Sequence, residues 1–253
     1  MTVNWKKSII IVCDIIIAAY LLLAITAFNK PDVKTTHCTE VKIDVSKNAV
    51  DGFLNSDGIK ALLSRNNLYP LSRPMESINP RAIEEALEKS PFIEKAECYK
   101  TINGHVCMDI QQRIPVIRVM TDKGENYYVD THGNIMPENR FVSDLIIATG
   151  SMSKKYVQTA LTQVANYVMQ DSFWKNQIVQ FNILHDGSME LVPRVGDHII
   201  YIGIPNHIDK KLERLRKFYL YGLNKAGWNK YSYISVEFDN QIICKKNNKR
   251  NYN

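Results

Sequence analysis

The signatures of most catalytic classes are missing from this chain. There is no H-E-x-x-H, no G-x-S-x-G, no S-x-x-K and no phosphate-binding glycine loop. The six histidines are His37, His105, His132, His185, His198 and His207, and none stands at i,i+4 to another His or Cys. The five cysteines form no C-x-x-C and no zinc-type spacing with histidine. No metal site and no cofactor site is therefore expected. Eleven Gly and nine Pro in 253 residues are too few for a collagen-like chain or a disordered tail. Internal repeats and low-complexity tracts are absent, which excludes solenoids and propellers. Net charge is nearly absent from the body of the chain. Lys6 and Lys7 at one end and Lys245, Lys246, Lys249 and Arg250 at the other account for the whole formal +6. A neutral body argues against a broad nucleic-acid surface. Only one long apolar run occurs, so a multi-span membrane protein is excluded.

That run is residues 8–28, with Ile9, Ile10, Ile11, Val12, Ile15, Ile16, Ile17, Leu21, Leu22, Leu23 and Ile25. As a helix it is long enough for a hydrocarbon core of roughly 30 Å. It exceeds a signal-peptide core, and no convincing small-x-small cleavage site follows. The expectation is an uncleaved anchor in the cytoplasmic membrane. Trp5 is suited to the interface, and Lys6 and Lys7 favour a cytoplasmic tail, a single-pass type II arrangement with the bulk of the chain outside. Asp14 within the run is costly there. It suits either a contact with another membrane helix or a protonated or snorkelling carboxylate.

The remainder reads as α+β. Residues 29–39 are an aperiodic polar linker. Val41, Ile43 and Val45 alternate as a strand in residues 40–45. Asn55-Ser56-Asp57-Gly58 starts a helix carrying Ile59, Leu62 and Leu63, and Asn79-Pro80 starts a second carrying Ile83 and Leu87, with Glu85 and Lys89 as an i,i+4 pair. Pro70 and Pro74 fix the connection between them. A hairpin over residues 96–112 turns at Asn103-Gly104, and a two-residue loop would pair Ile102 with His105. That loop would set Cys98 diagonal to Cys107 on one face. The apolar pattern instead puts Ala96, Cys98, Val106, Met108 and Ile110 inward and Cys107 outward, which favours no disulfide. The expected core joins Ile59, Leu62, Leu63, Ile83, Leu87, Cys98, Met108 and Ile110.

From Arg113 a second unit is expected, with a mixed or antiparallel sheet and two helices. Strands are read at residues 116–120, 127–130, 145–149, 178–184, 189–192 and 198–202, and a turn at residues 131–134 leads to Ile135-Met136. Ser153 caps a helix with Val157, Leu161, Val164 and Val168 on one face. Ile208, Leu212, Leu215, Tyr219 and Leu223 mark a last helix, ended by Gly227. Residues 231–238 and 241–245 close the chain as strands around Asp239-Asn240.

Candidate chemistry is thin. Asp130-Thr131-His132 could be an acid–base pair, but an Asp that opens a turn ordinarily bonds backbone N–H groups. Asp186 and Glu190 border a hairpin turn, whereas glycan hydrolysis needs opposed carboxylates in a cleft. Ser143 and Ser151 have no base nearby in sequence. Lys210, Lys211, Arg214 and Lys217 line the polar side of the last helix, either as a solvated face or as a patch for an acidic partner segment.

The stretches LYPLSRPMESINPRAIEEAL (68–87), PFIEKAECY (91–99) and GHVCMDIQQRIPVIRV (104–119) resemble the POTRA domain of the FtsQ/DivIB family of bacterial division proteins. GENYYVDTHGNIMP (124–137) resembles the start of that family's second, β-rich domain, with Arg113-Ile114-Pro115 on the border. The resemblance implies this order: cytoplasmic tail 1–7, transmembrane helix 8–28, linker 29–39, POTRA domain 40–112 (strand-helix-helix-strand-strand), β domain 113–246 and basic tail 247–253. It further implies a non-enzymatic scaffold that links early and late division proteins at the septum and helps control septal peptidoglycan synthesis. The implied partners are the single-span proteins FtsB and FtsL and other divisome components, with no small-molecule substrate. The competing classes are an anchored envelope enzyme such as a cell-wall hydrolase and a POTRA-type chaperone. A terminal strand has no successor to cover its outer side, so it suits an edge that pairs with a partner strand. In the resembled family the FtsB partner pairs with the last strands. Phe238, Gln241, Ile242, Ile243 and Cys244 occupy those positions, and Lys245 closes the partner-binding set.

Overall fold

The computed structural model describes residues 5–28, 37–46, 54–138 and 144–247. Its contacts divide the described chain into two units, the first ending in sequence at Gln111 and the second running on from Gln112, with Leu54 grouped with the second.

The first unit begins with α1, Trp5–Phe28, a helix of 24 residues. Its described side chains run from Ile11 to Ile25 and are exposed except for the half-buried Ala24, Ile15 and Leu23 being about two-thirds exposed. Among the described residues no helix is long and apolar enough to cross a membrane. That stretch of described side chains is shorter than α1 itself.

Three strands and two helices follow: β1 (Glu40–Val45), α2 (Ser56–Arg65), α3 (Pro80–Glu88), β2 (Ile93–Lys100) and β3 (His105–Gln112). Asn55 caps α2 by accepting from Gly58 N, and Asn79 caps α3 by accepting from Ala82 N, with Pro80 in the first turn. The sheet order is β1-β3-β2, and β1 runs parallel to β3 with Val41 beside Val106 and Ile43 beside Met108. Ile59, Leu63, Ile83, Leu87, Ala96, Cys98, Val106, Met108 and Ile110 form the core. Leu62 was expected among them but is only half-buried. Ile59 and Leu63 stand four apart on one line of α2, and Leu62 falls on its flank. In place of the expected Glu85–Lys89 pair, Glu85 takes Arg81 at 2.9 Å, and Lys89 is the C-cap.

The hairpin loop differs from the two-residue expectation. Thr101 N donates to His105 O, and Gly104 N donates back to Thr101 O. Three residues, Ile102, Asn103 and Gly104, make the loop, and Gly104 at φ 78° supplies the left-handed position this three-residue form requires. The pairing shifts by one residue. Counting back from Thr101 and His105, Cys98 falls opposite Met108 inside and Cys107 opposite Tyr99 outside. The five thiols are free.

The second unit is built on a nine-stranded mixed sheet in the order β12-β11-β10-β9-β8-β7-β4-β5-β6. The strands are β4 (Pro115–Thr121), β5 (Asn126–Asp130), β6 (Ile135–Pro137), β7 (Ile146–Gly150), β8 (Ile178–Ile183), β9 (Met189–Pro193), β10 (Ile199–Gly203), β11 (Tyr231–Ser235) and β12 (Ile243–Lys246). β4, β7 and β8 are mutually parallel, β8 to β10 form the expected antiparallel meander, and β11 returns parallel to β10. Helical segments α4 (Lys154–Tyr156) and α5 (Thr162–Gln170) are joined by a π-helical turn, Val157–Leu161. A short helix α6 (Ser172–Gln177) was not foreseen; Asp171 caps it by accepting from Phe173 N and Trp174 N. The last helix is α7 (Ile208–Lys217), continued by a π-helical stretch, Phe218–Leu223, and α8 (Asn224–Ala226). Phe181, Leu191 and Ile200 from the sheet pack with Val164, Trp174, Leu212 and Tyr219 from the helices in one core.

Leu87 is fully buried on α3. Leu87→Ala should cost about 2–5 kcal/mol, with the cavity adding to the lost transfer energy. Denaturant unfolding followed by a probe in the first unit measures it, and a change under about 0.5 kcal/mol would refute this packing.

Candidate functional site

β12 is the outermost strand of the large sheet. It pairs antiparallel with β11, Ile234 beside Cys244 and Ser235 beside Ile243. Among the described residues no strand lies on its other side. Both terminal strands are shorter than the sequence indicates. Past the end of β11 at Ser235 one more ladder bond to β10 follows, Val236 N donating to Tyr201 O, and Arg214 Nη2 donates to Val236 O at 2.9 Å. Asn240 then takes a left-handed conformation, φ 62°, and β12 starts only at Ile243. Phe238, Gln241 and Ile242 therefore lie in the connecting loop, not in a strand.

The six expected partner residues divide by face. Ile242 and Cys244 are half-buried against the core. Burial pushes the Cys244 thiol above its ordinary pKa, so it stays neutral. Ile243 and Lys245 face outward, and Ile243 is half exposed. Phe238 and Gln241 are exposed in the loop. Phe238 on the loop and Ile243 on the strand leave apolar surface exposed, and Tyr221 of the π-helical stretch, also exposed, shares a groove with Gln241 and Ile242.

Two cations of α7 work differently from the expected basic face. Lys211 is buried, and its ammonium donates to Ile202 O, Ile204 O and Asn206 Oδ1 at 2.8–2.9 Å. Burial lowers its pKa, against the pull of nearby Glu237. Arg214 holds Val236 O and lies 3.6 Å from Asp239. These two fasten α7 to the end of β10 and to the loop before β12. Lys217 pairs with Glu213 at 3.1 Å. Sequence pattern carries no sign of this clamp, since a Lys on the flank of an apolar helix face reads as solvated. Between α7 with its π-helical continuation and the loop runs an open groove of about 870 Å³, lined by Tyr167, Lys210, Phe218, Tyr221, Gln241 and Ile242.

The catalytic candidates are occupied in structural bonds. Asp130, almost fully buried, receives Arg113 at 2.6 Å and the backbone N–H groups of His132 and Asn134. The His132 ring instead meets Thr131 Oγ1 at 3.3 Å. Asp186 accepts from Ser188, while Glu190 accepts from Asn182. His198 is buried against Tyr219 OH at 2.7 Å, and burial lowers its pKa. Ser143 lies outside the described residues. Among the described residues no group of three His, Cys, Asp or Glu could hold a metal ion.

The family model "FtsQ/DivIB, C-terminal related" matches residues 114–245, more than half of the chain. The chain belongs to the FtsQ/DivIB family. A second model, "POTRA-like domain", matches residues 36–111 of this FtsQ/DivIB member, which cover the three-stranded unit. A search of the curated proteins found no match. Membership makes this a division protein that works through contacts with other proteins of the division machinery.

Asp130 generates a pH prediction. Burial alone would raise its pKa, but bonds from Asn134, Arg113 and His132 outweigh this and hold it below the ordinary carboxylate value. Its stabilisation is complete above the unfolded value near 4 and is lost as pH falls through the lower folded value. Asp130→Ala should cost about 1–3 kcal/mol at neutral pH. The gap to wild type should shrink in melts taken below about pH 4. His132→Ala should melt like wild type.

Proposed function

We propose that this chain is a non-enzymatic scaffold of the cytoplasmic membrane that ties early to late division proteins at the septum and helps control septal peptidoglycan synthesis. The proposed organisation is a cytoplasmic tail (1–7), a transmembrane helix (8–28), a linker (29–39), a POTRA domain (40–112), a β domain (113–246) and a basic tail (247–253). For the membrane span, the support is the length of α1. Its 24 residues rise about 36 Å, more than a hydrocarbon core of roughly 30 Å. The two lysines at its start favour the cytoplasmic side.

The observation that carries the scaffold reading is β12. A short, partly apolar strand ends the sheet, and its outward backbone groups have no strand neighbour among the described residues. Such an edge accepts an added strand, whose backbone takes the hydrogen bonds while its side chains find adjoining pockets. The proposed partner-binding residues are Phe238, Gln241, Ile242, Ile243, Cys244 and Lys245. The proposed partners are the single-span division proteins FtsB and FtsL, with FtsB supplying the strand. The groove lined by Phe218, Tyr221 and Ile242 lies beside this edge and suits the flanking side chains of such a segment. A hydrolase would need convergent acids, and Asp186 and Glu190 are each engaged elsewhere.

Ile243→Pro removes a backbone donor and fixes φ. It should abolish capture of the partner while circular dichroism and melting stay unchanged, and truncation after Asn240 should abolish capture too, with a lower melting temperature because Ile242 and Cys244 leave the core. A folded variant that binds with unchanged affinity would move the site away from β12. For topology, a single cysteine at Asn224 on a background without the other cysteines should react with an impermeant reagent outside the cytoplasmic membrane. Reaction only after that membrane is permeabilised would reverse the assignment.

A further inference from the structure

The loop end of the first unit carries apolar side chains that its own core does not use. Ile102, at the tip of the β2–β3 hairpin, is 88% exposed, and Leu71, in the connection between α2 and α3, is 44% exposed. An isolated exposed residue needs no explanation. These two are brought to one end of the unit by the segment that leads into β1. Cys38 N donates to Arg73 O and Ser72 N donates to Cys38 O, while Thr39 N donates to Gly104 O. Residues 38 and 39 thus lie between the loop bearing Leu71 and the hairpin bearing Ile102.

This is also the end nearest α1 along the chain. α1 ends at Phe28, and the described chain resumes at His37, which bridges Pro74. The nine peptide steps between them can span no more than about 32 Å when fully extended. If α1 spans the bilayer, His37 cannot stand farther than that from the outer surface. The contact surface has the composition an interface favours: two apolar tips beside the exposed cations Arg73 and Lys100. The Lys100 ammonium also donates to Met75 O. The acids at this end are Glu40, which faces Lys42 and His105, and Glu76.

We infer that the end of the POTRA unit formed by Ile102 and Leu71, with Arg73 and Lys100, rests on the outer surface of the lipid bilayer. The inference rests on the reading of α1 as a membrane anchor. Two apolar side chains bind a membrane only weakly by themselves. The short tether holds them at high effective concentration beside the surface, so a weak contact becomes an occupied one. The contact would restrict how the unit can swing on its anchor.

The test uses the full chain in vesicles of phosphatidylcholine with anionic phosphatidylglycerol. A fluorescent amino acid is placed by stop-codon suppression at 102, at 71 or at 94, the last being at the far end of β2. Lipids carrying a nitroxide at the headgroup should quench the reporters at 102 and 71 and leave 94 unquenched. Ile102→Asp should remove the quenching at 71 without releasing the protein from the vesicles. Retention at alkaline pH with no quenching at 102 would overturn the lipid contact and leave the anchor reading intact. Release at alkaline pH would overturn the anchor reading first. Protection at 102 that appears only when a partner protein is added would assign this end to a protein contact.

Discussion

An open sheet must end in two rows of backbone donors and acceptors without a neighbouring strand, and the second unit treats its two ends differently. At one end stands β6, three residues long and closed by Pro137, which has no N–H to offer. At the other stands β12, with Ile243 half exposed and no proline. A short edge ending in proline resists further pairing. An edge with an outward isoleucine and intact N–H groups invites it. The asymmetry gives the sheet a direction in which it can grow.

The approach to that open edge is held by two cations of α7, Lys211 buried and Arg214 half-buried. Burying the Lys211 ammonium is tolerable because three oxygens take its three protons. Two of those oxygens belong to Ile202 and Ile204, so α7 is fixed to the end of β10. Arg214, one turn on, holds Val236 O and reaches Asp239. β11 is already paired with β10, and Arg214 determines where the chain departs from it. The segment that leads to β12 is thereby held at Val236 and Asp239 by a helix that precedes it in sequence. A loop left free would let the last strand slip by a residue, and a one-residue slip exchanges Ile243 with its core-facing neighbours Ile242 and Cys244.

Where pattern and cap coincided, the sequence was legible. Asn55 and Asn79 cap the helices they announce, and the alternation of Val41, Ile43 and Val45 fixed the inner face of β1. Ser153 likewise accepts from Tyr156 N at the start of its helix. Loop chemistry was harder. Asn103-Gly104 suits a two-residue turn, yet the side chain of Thr101 also bonds His105 across the turn and supports the three-residue form. The apolar alternation of Ala96, Cys98, Val106 and Met108 nevertheless carried the correct parity, since burial constrains it more strongly than turn type does. α6 was overlooked because six residues show no helical period, although Asp171 before Ser172 is a capping signal. At the edge, the order of elements was legible and the strand lengths were not. Arg214, which takes the Val236 carbonyl just past the end of β11, lies far away in sequence.

The size of the edge bears on what a partner must bring. A four-residue strand turns only about half of its backbone groups outward, so an added strand gains about four hydrogen bonds. At a net of about 1 kcal/mol each, they supply about 4 kcal/mol. Micromolar binding requires about 8 kcal/mol, before the cost of ordering a flexible segment. Backbone pairing on the proposed edge β12 would therefore set direction and register but would not hold a partner alone. The remainder must come from apolar burial, and the exposed apolar side chains are Ile243 on the strand, Phe238 on the loop and Tyr221 along the groove. Burying about 160 Å² of apolar surface at about 25 cal/mol per Å² would supply the missing 4 kcal/mol, an area that one or two large side chains provide. A partner that pairs with β12 must therefore continue past the strand and place at least one large apolar residue in the groove beside α7.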